Sequence, residues 1–161
     1  MLRYFGVICI FIFAFYVIFA YERQQKRSLS QGEEALLLLK FFLDELQSLA
    51  RAPRECIRSF HAAALEKTPL LKAMAEGKPP HAALLASKEK LCLPRGMEKI
   101  LEDAFENFGK GGRREECRRL CEAIERAEAL LSSERQEHTR RLTLCRTLTT
   151  ASAMGLVILL M

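Results

Sequence analysis

Two cysteines in the last third of the chain have the spacing of a metal-ligand pair. Cys117 and Cys121 are four residues apart, so a helix places them on one face. Two thiolates at this spacing can contribute to a zinc site, which needs about four ligands. The next histidine, His138, lies 17 residues beyond Cys121, about 25 Å along a continuous helix. We therefore interpret both cysteines as core residues of an apolar helical face and predict no metal site.

Four arginines around these cysteines are the candidate interaction patch. Arg113, Arg114, Arg118 and Arg119 interleave with two glutamates. The patch would suit an acidic partner or lipid headgroups. The alternative is a solvated face with intrahelical ion pairs, each contributing a few tenths of a kcal/mol. Because no aromatic side chains interleave with these arginines, we predict that nucleic acid is not a partner.

The sequence lacks the motifs of common enzyme classes. It contains no G-x-x-x-x-G-K-[ST] loop, and the glycines of 109–112 do not have that spacing. Neither G-x-S-x-G nor H-E-x-x-H occurs. The acidic residues are spread along exposed helical faces, so no general acid or base is indicated. We predict no catalytic residue, no cofactor and no enzymatic activity.

Charge divides the chain into three segments. All acidic residues, and all basic residues except Arg3, lie in 22–146. The net charge of this segment, 24 − 20 = +4, is too mild for a dedicated nucleic-acid binder. The six cysteines are scattered and form no disulfide framework. A reducing, cytosolic location for the middle segment is the simplest interpretation.

An uncharged, largely apolar run at 4–21 precedes the charged segment. Its 18 residues span about 27 Å as a helix, close to the hydrocarbon core of about 30 Å. A cleaved signal peptide is the alternative, but Ile18 is bulky for the −3 position of a site at Ala20. We predict a retained transmembrane helix at 4–21. The basic residues after it favour a cytoplasmic middle segment: Arg23, Lys26 and Arg27.

A second uncharged run, 147–161, ends the sequence. Its 15 residues span about 22 Å as a helix, which is short for a bilayer crossing. Preceding arginines can extend the hydrophobic surface by snorkelling: Arg140, Arg141 and Arg146. We predict a transmembrane helix at 147–161, continuous with the last bundle helix, with a buried core helix as the alternative. The sequence leaves open whether this run spans the bilayer alone.

The middle segment, 22–146, has the patterns of an all-α fold. Apolar residues recur at three- and four-residue spacing, and no useful stretch alternates with period two. Ser30–Glu33 has capping-box spacing and predicts a helix start, unless one helix continues from 4–21 through Gly32. Further helices are predicted to begin at Pro53, Pro69 and Pro80, after Pro94 and after the Gly109–Gly112 break. The helix from Pro80 should run to about Leu91. We predict an antiparallel bundle of about five to six helices, flanked by the two transmembrane helices.

The arrangement resembles the stage III sporulation protein AB family over essentially the whole chain. Met1-Leu2-Arg3 opens a short anchor, a leucine-rich helix follows, and a Phe108-Gly109 break leads into one long polar helix. The chain ends on Gly155 and an aliphatic run closed by methionine, which is very like that family's terminus. The sequence departs from the family pattern after the break, where Gly111-Gly112 replaces an acidic capping residue. Because glycine is an acceptable N-cap, the fold should survive this change.

The resemblance implies a membrane platform subunit. Its soluble domain would be similar to the cytoplasmic domain of type II secretion inner-membrane platform proteins. It would lie in the mother-cell membrane around the forespore, with most of the chain cytoplasmic. There it would join other stage III sporulation proteins in a transenvelope channel that supports the engulfed forespore. A secretion-type ATPase would dock on its cytoplasmic face, and membrane lipids would surround its ends.

A second hypothesis depends on the residues alone. It is a membrane-tethered helical adaptor or regulator outside sporulation, which binds an acidic partner through 113–119. The sequence identifies neither the residues that contact an ATPase nor the stoichiometry of a ring.

Overall fold

The described part of the chain is all-helical. The computed structural model describes residues 2–48, 57, 60, 62–66, 68–106, 108–109 and 111–160, with only the backbone at 2–11, 13–14, 17, 146, 150, 153–154 and 156–160. These residues contain five α-helices and no strand, so the predicted all-α fold is confirmed. The helices are α1 Leu2–Ser48, α2 Pro69–Ala75, α3 Pro80–Ser87, α4 Met97–Glu106 and α5 Arg113–Leu160, with a short 3-10 turn at Lys88–Lys90.

α1 is one continuous helix from Leu2 to Ser48. The helix start predicted at Ser30–Glu33 is therefore wrong, and the alternative of a helix that continues through Gly32 is confirmed. A Cβ atom on Gly32 would lie 2.9 Å from Leu131 Cδ2 and 3.0 Å from Pro94 Cδ. Glycine at this position thus allows α1 to approach both residues closely.

The short helices begin at prolines, as predicted. Pro69 and Pro80 each stand in the first turn, where a missing N–H costs no helical hydrogen bond. α3 ends at Ser87, earlier than the predicted end near Leu91. The buried Ser87 hydroxyl donates to Ala83 O at 2.7 Å, and the chain tightens there into the 3-10 turn.

The helix predicted to begin at Pro53 falls mostly on 49–56, 58–59 and 61, which lie outside the described residues. Ile57 is helical and buried, whereas Ala63–Glu66 form a turn. The helix predicted from Pro53 therefore does not extend to Ala64.

One hydrophobic core joins all five helices. It includes buried side chains at helical spacing on α1 and α5, and smaller groups from α2, α3 and α4. Phe42 lies at its centre, with ring centroids 5.7 Å from Phe105 and 5.1 Å from Phe108. These edge-on contacts lock α1 to α4 and to the start of the following loop.

The chain forms two compact units. The terminal unit comprises Met1–Lys26 and Arg135–Met161, and the bundle unit comprises Arg27–Glu134.

Within the bundle unit, α1 and α5 run antiparallel. Gly32 lies against Leu131. Further along α1, Lys40 Nζ is 2.7 Å from Glu128 Oε1. At the end of α1, the Arg113 guanidinium donates to Gln47 O. The bundle unit therefore has its first and last residues at the same end.

Among the described residues, no helix has the length and hydropathy needed to cross a bilayer. Most side chains of 4–21 and 147–161 lie outside the described set. The transmembrane helices at these runs stay predictions, as do the domain bounds 4–21, 22–146 and 147–161.

Candidate functional site

The four arginines of the candidate patch lie on the first two turns of α5. The helix starts at Arg113, directly after the glycine loop. Its first N–H groups bond back to Gly112 O, which accepts from Glu115 N at 2.9 Å and Glu116 N at 3.1 Å. Two carboxylates in this turn suit the positive end of the helix dipole.

Arg113 contacts the C-terminal end of α1. Its guanidinium donates to Gln47 O in the last turn of α1. The last carbonyl groups of a helix have no partner within that helix, and an arginine is a common donor to them. Arg113 is therefore a contact between α1 and α5 as well as part of a charged surface.

Arg118 and Arg119 share one carboxylate. Glu115 Oε1 lies 2.9 Å from Arg118 Nη2 and 3.2 Å from Arg119 Nε. Arg118 Nη1 is also 3.6 Å from Glu122 Oε1. The hydrogen bond from Arg118 lowers the pKa of the Glu115 carboxyl, and the same bond raises the pKa of Arg118. Both groups are charged at neutral pH, so they neutralise each other.

Arg114 is different from the other three arginines. Its side chain is exposed. Within the part of the chain that the structure describes, it forms no ion pair. Among the described residues of the predicted patch, Arg113 and Arg114 therefore have no ion pair, and Arg113 is held by Gln47 O, which leaves Arg114 as the arginine with no described contact.

Glu116 has a role that the sequence did not indicate. It is only 8% exposed. Its Oε1 accepts a hydrogen bond from Gly109 N at 2.9 Å and another from Gly111 N at 3.1 Å. A carboxylate that accepts from backbone N–H groups forms charge-assisted bonds. Glu116 therefore holds the glycine loop against α5, and an acidic residue in the first turn after such a loop is the signal that points to this role.

Two polar side chains of α1 hold other loops in the same way. Gln31 is 1% exposed, and its Oε1 accepts from Cys92 N at 2.7 Å. The Glu34 carboxylate accepts from Ala64 N at 2.9 Å and from Leu65 N at 2.7 Å. The helical pattern predicts exposed positions for the acidic residues, which is wrong for Glu34, and it indicates no role for the neutral side chain of Gln31.

The cysteines do not both lie in the core. Cys117 is half-buried, but Cys121 is exposed, so its prediction as a core residue is wrong. The buried stripe of α5 includes Leu120 and Ile124, and Cys121 is rotated about 100° away from Leu120. Among the described residues, no group of three or more His, Cys, Asp or Glu side chains could hold a metal ion.

Comparison with known proteins identifies a family. The family model described as stage III sporulation protein AB (spore_III_AB) matches residues 3–161. The resemblance found in the sequence is thus confirmed over nearly the whole chain. No curated protein and no solved structure matches.

Proposed function

The chain belongs to the stage III sporulation protein AB family, and on this premise we propose that it is a non-catalytic membrane platform subunit. Its role belongs to stage III of sporulation. The proposed assembly is a transenvelope, secretion-like channel that supports the engulfed forespore. The observation that carries the proposal is the family match over residues 3–161.

We place the two uncharged runs, 4–21 and 147–161, in the mother-cell membrane around the forespore. The bundle unit supports this placement because its two ends meet, with Gly32 close to Leu131. A two-ended anchor requires this arrangement. The basic residues that border both runs favour a cytoplasmic location for the bundle unit, with membrane lipids around the two ends.

On the cytoplasmic side we propose that Arg114 is the centre of a docking surface for a secretion-type ATPase. An exposed arginine binds carboxylates through two parallel hydrogen bonds. Arg118 and Arg119 can exchange Glu115 for a partner's carboxylate because exposed ion pairs contribute little stability. Other stage III sporulation proteins are the further proposed partners.

The topology is tested with the thiol of Cys121, which is exposed on the bundle unit. A membrane-impermeant maleimide is added to engulfed forespores released by gentle lysis of the mother cell, which exposes the mother-cell face of the surrounding membrane, and separately to the same forespores after detergent treatment. We expect labelling of Cys121 without detergent. Cys92 and Cys117 are only half-buried, so they can also react with the maleimide. The label that is lost in the Cys121→Ser variant is therefore the label on Cys121. Labelling that appears only after detergent treatment would reverse the topology and exclude a cytoplasmic ATPase as the partner.

The docking surface is tested by copurification of the ATPase with the full chain from sporulating cells. Arg114→Glu should lower the captured ATPase by about tenfold, because it places like charges at the interface. Arg95→Glu, at an exposed arginine outside the patch, is the matched control. Equal capture by the two variants would exclude Arg114 as the docking residue.

The second hypothesis, an adaptor outside sporulation, loses its basis because the family match indicates a sporulation role. The acidic partner of that hypothesis corresponds here to an acidic surface on the proposed ATPase.

A further inference from the structure

The terminal unit contains an apolar groove that the proposed function does not use. It is lined by Ile18 and Tyr21 of α1 and by Arg141, Leu142 and Cys145 of α5. Its volume is about 220 Å³, and its lining surface is almost entirely apolar. This is smaller than the usual small-molecule pocket. The groove therefore suits a narrow flexible chain better than a helix.

Tyr21 places a polar group beside this apolar surface. Its hydroxyl accepts a hydrogen bond from Gln25 Nε2 at 3.2 Å. Gln25 lies one turn further along α1, in the charged segment, so the hydroxyl is directed away from the uncharged run 4–21. A tyrosine with an apolar ring and a polar tip is typical of the boundary between hydrocarbon and water.

Arg141 adds positive charge to the groove. Its Nη2 lies 2.7 Å from Glu137 Oε2, and the two side chains are 59% and 60% exposed. An exposed ion pair of this kind exchanges one partner for another at small cost. The planar guanidinium matches the oxygens of a phosphate group with two parallel hydrogen bonds.

We propose that this groove binds an acyl chain of an anionic phospholipid, whose phosphate is bound by Arg141. The inference rests on the membrane placement proposed above. It identifies a lipid of the surrounding bilayer because the groove lies where the uncharged runs meet the charged segments. Tyr21 is the last residue of one run, and Cys145 lies two residues before the other.

The experiment uses the full chain in vesicles of phosphatidylcholine that contain phosphatidylglycerol with a photoreactive acyl chain. Flotation measures membrane association, and mass spectrometry maps the labelled residues. We expect labels to concentrate on Ile18, Leu142 and Cys145. Leu142→Trp, which fills the groove, should lower the labelling about tenfold, as expected for the loss of about two buried methylene groups. Leu144→Trp is the matched control, since Leu144 is exposed and does not line the groove.

A second pair of variants tests the headgroup. The wild-type chain should label more strongly with photoreactive phosphatidylglycerol than with the phosphatidylcholine analogue. Arg141→Gln should abolish this preference. Arg140→Gln should keep it, because Arg140 is exposed but does not line the groove.

The outcomes separate this inference from the proposed function. Flotation with labels spread evenly along the uncharged runs would overturn the groove and leave the membrane anchor standing. Equal labelling by the two lipids would overturn the anionic headgroup. A photo-crosslinked dimer in place of lipid adducts would identify a second copy as the occupant and overturn the inference. Failure to float would overturn both proposals.

Discussion

Two adjacent glutamates in the first turn of α5 lie on different sides of the helix. We call these the solvent side, which contains Glu115, and the loop side, which faces the glycine loop and contains Glu116. Glu115 faces solvent and accepts from Arg118 and Arg119. Glu116 is buried and accepts from the backbone of the glycine loop. The first interaction is an exposed ion pair on the proposed docking surface, whereas the second stabilises the fold. The same chemical group therefore belongs either to an exposed charged surface or to the support of a loop, according to the side of the helix it occupies.

Side chains that hold loops in the way Glu116 does also occur on α1. Gln31 and Glu34 on α1 likewise accept from backbone N–H groups of distant loops. A buried N–H group that loses its acceptor costs more than an exposed ion pair contributes. Substitutions on the loop side should therefore be costly, and substitutions on the solvent side should leave the fold intact.

The largest effect is expected for Glu34→Ala. It removes the acceptor of two backbone N–H groups, which should lower the free energy of unfolding by about 3 kcal/mol. The full chain is unfolded with urea in mild detergent to measure this. Hydrogen exchange at the amides of Ala64 and Leu65 should accelerate by about a hundredfold. Asp44→Ala, at an exposed position of α1, is the control. Equal effects of the two variants would refute the holding role of Glu34.

Glu116→Ala should have the next largest effect, about 2 kcal/mol of the free energy of unfolding. The amides of Gly109 and Gly111 lose their acceptor, so their hydrogen exchange should be faster. Glu115→Ala is the matched control because it changes the neighbouring carboxylate and leaves these two bonds in place. If Glu115→Ala accelerated exchange at the same amides, both glutamates would hold the glycine loop, and the difference between the two sides of the helix would be refuted.

Local chemistry explains what the sequence predicted well. Proline geometry defined the starts of α2 and α3 at Pro69 and Pro80, and the glycine break located the start of α5. The family resemblance likewise depends only on the order of residues along the chain. These features need no knowledge of which helix packs against which.

The missed features all depend on distant partners. Cys92 lies 61 residues from Gln31, and Gln47 lies 66 residues from Arg113. No local pattern shows that such groups meet, because packing decides it. The same holds for Cys121, which lies beside a buried stripe and is itself exposed. The close approach of Gly32 to Pro94 and Leu131 is likewise a contact between residues distant in the sequence.

Gly32→Ala should have a smaller effect. Alanine gains up to about 1 kcal/mol of helix propensity, but crowding against Pro94 and Leu131 costs about 1–3 kcal/mol. The free energy of unfolding should therefore fall by about 1 kcal/mol. Ser30→Ala, at an exposed position two residues earlier, should gain stability instead. A gain in both variants would show that α1 does not approach α5 closely at Gly32.

The smallest effect concerns the solvent side and is a dependence on pH. Arg118 lowers the pKa of Glu115 below its ordinary value of 4.5. A carboxyl whose pKa is lower in the folded state stabilises the fold above its unfolded pKa, and it loses this contribution as the pH falls through the folded pKa. Wild type should therefore have a slightly higher urea midpoint than Glu115→Gln at pH 7, and the difference should disappear in acid.

Glu125→Gln is the control, because Glu125 is exposed on α5 and has no ion pair among the described residues. Added salt should reduce the difference between wild type and Glu115→Gln at pH 7, since exposed ion pairs are screened. A difference that grew as the pH fell below 4.5 would contradict the ion pair. The Glu115 contribution would then have the wrong sign, and Arg118 and Arg119 would not be held by an exchangeable carboxylate.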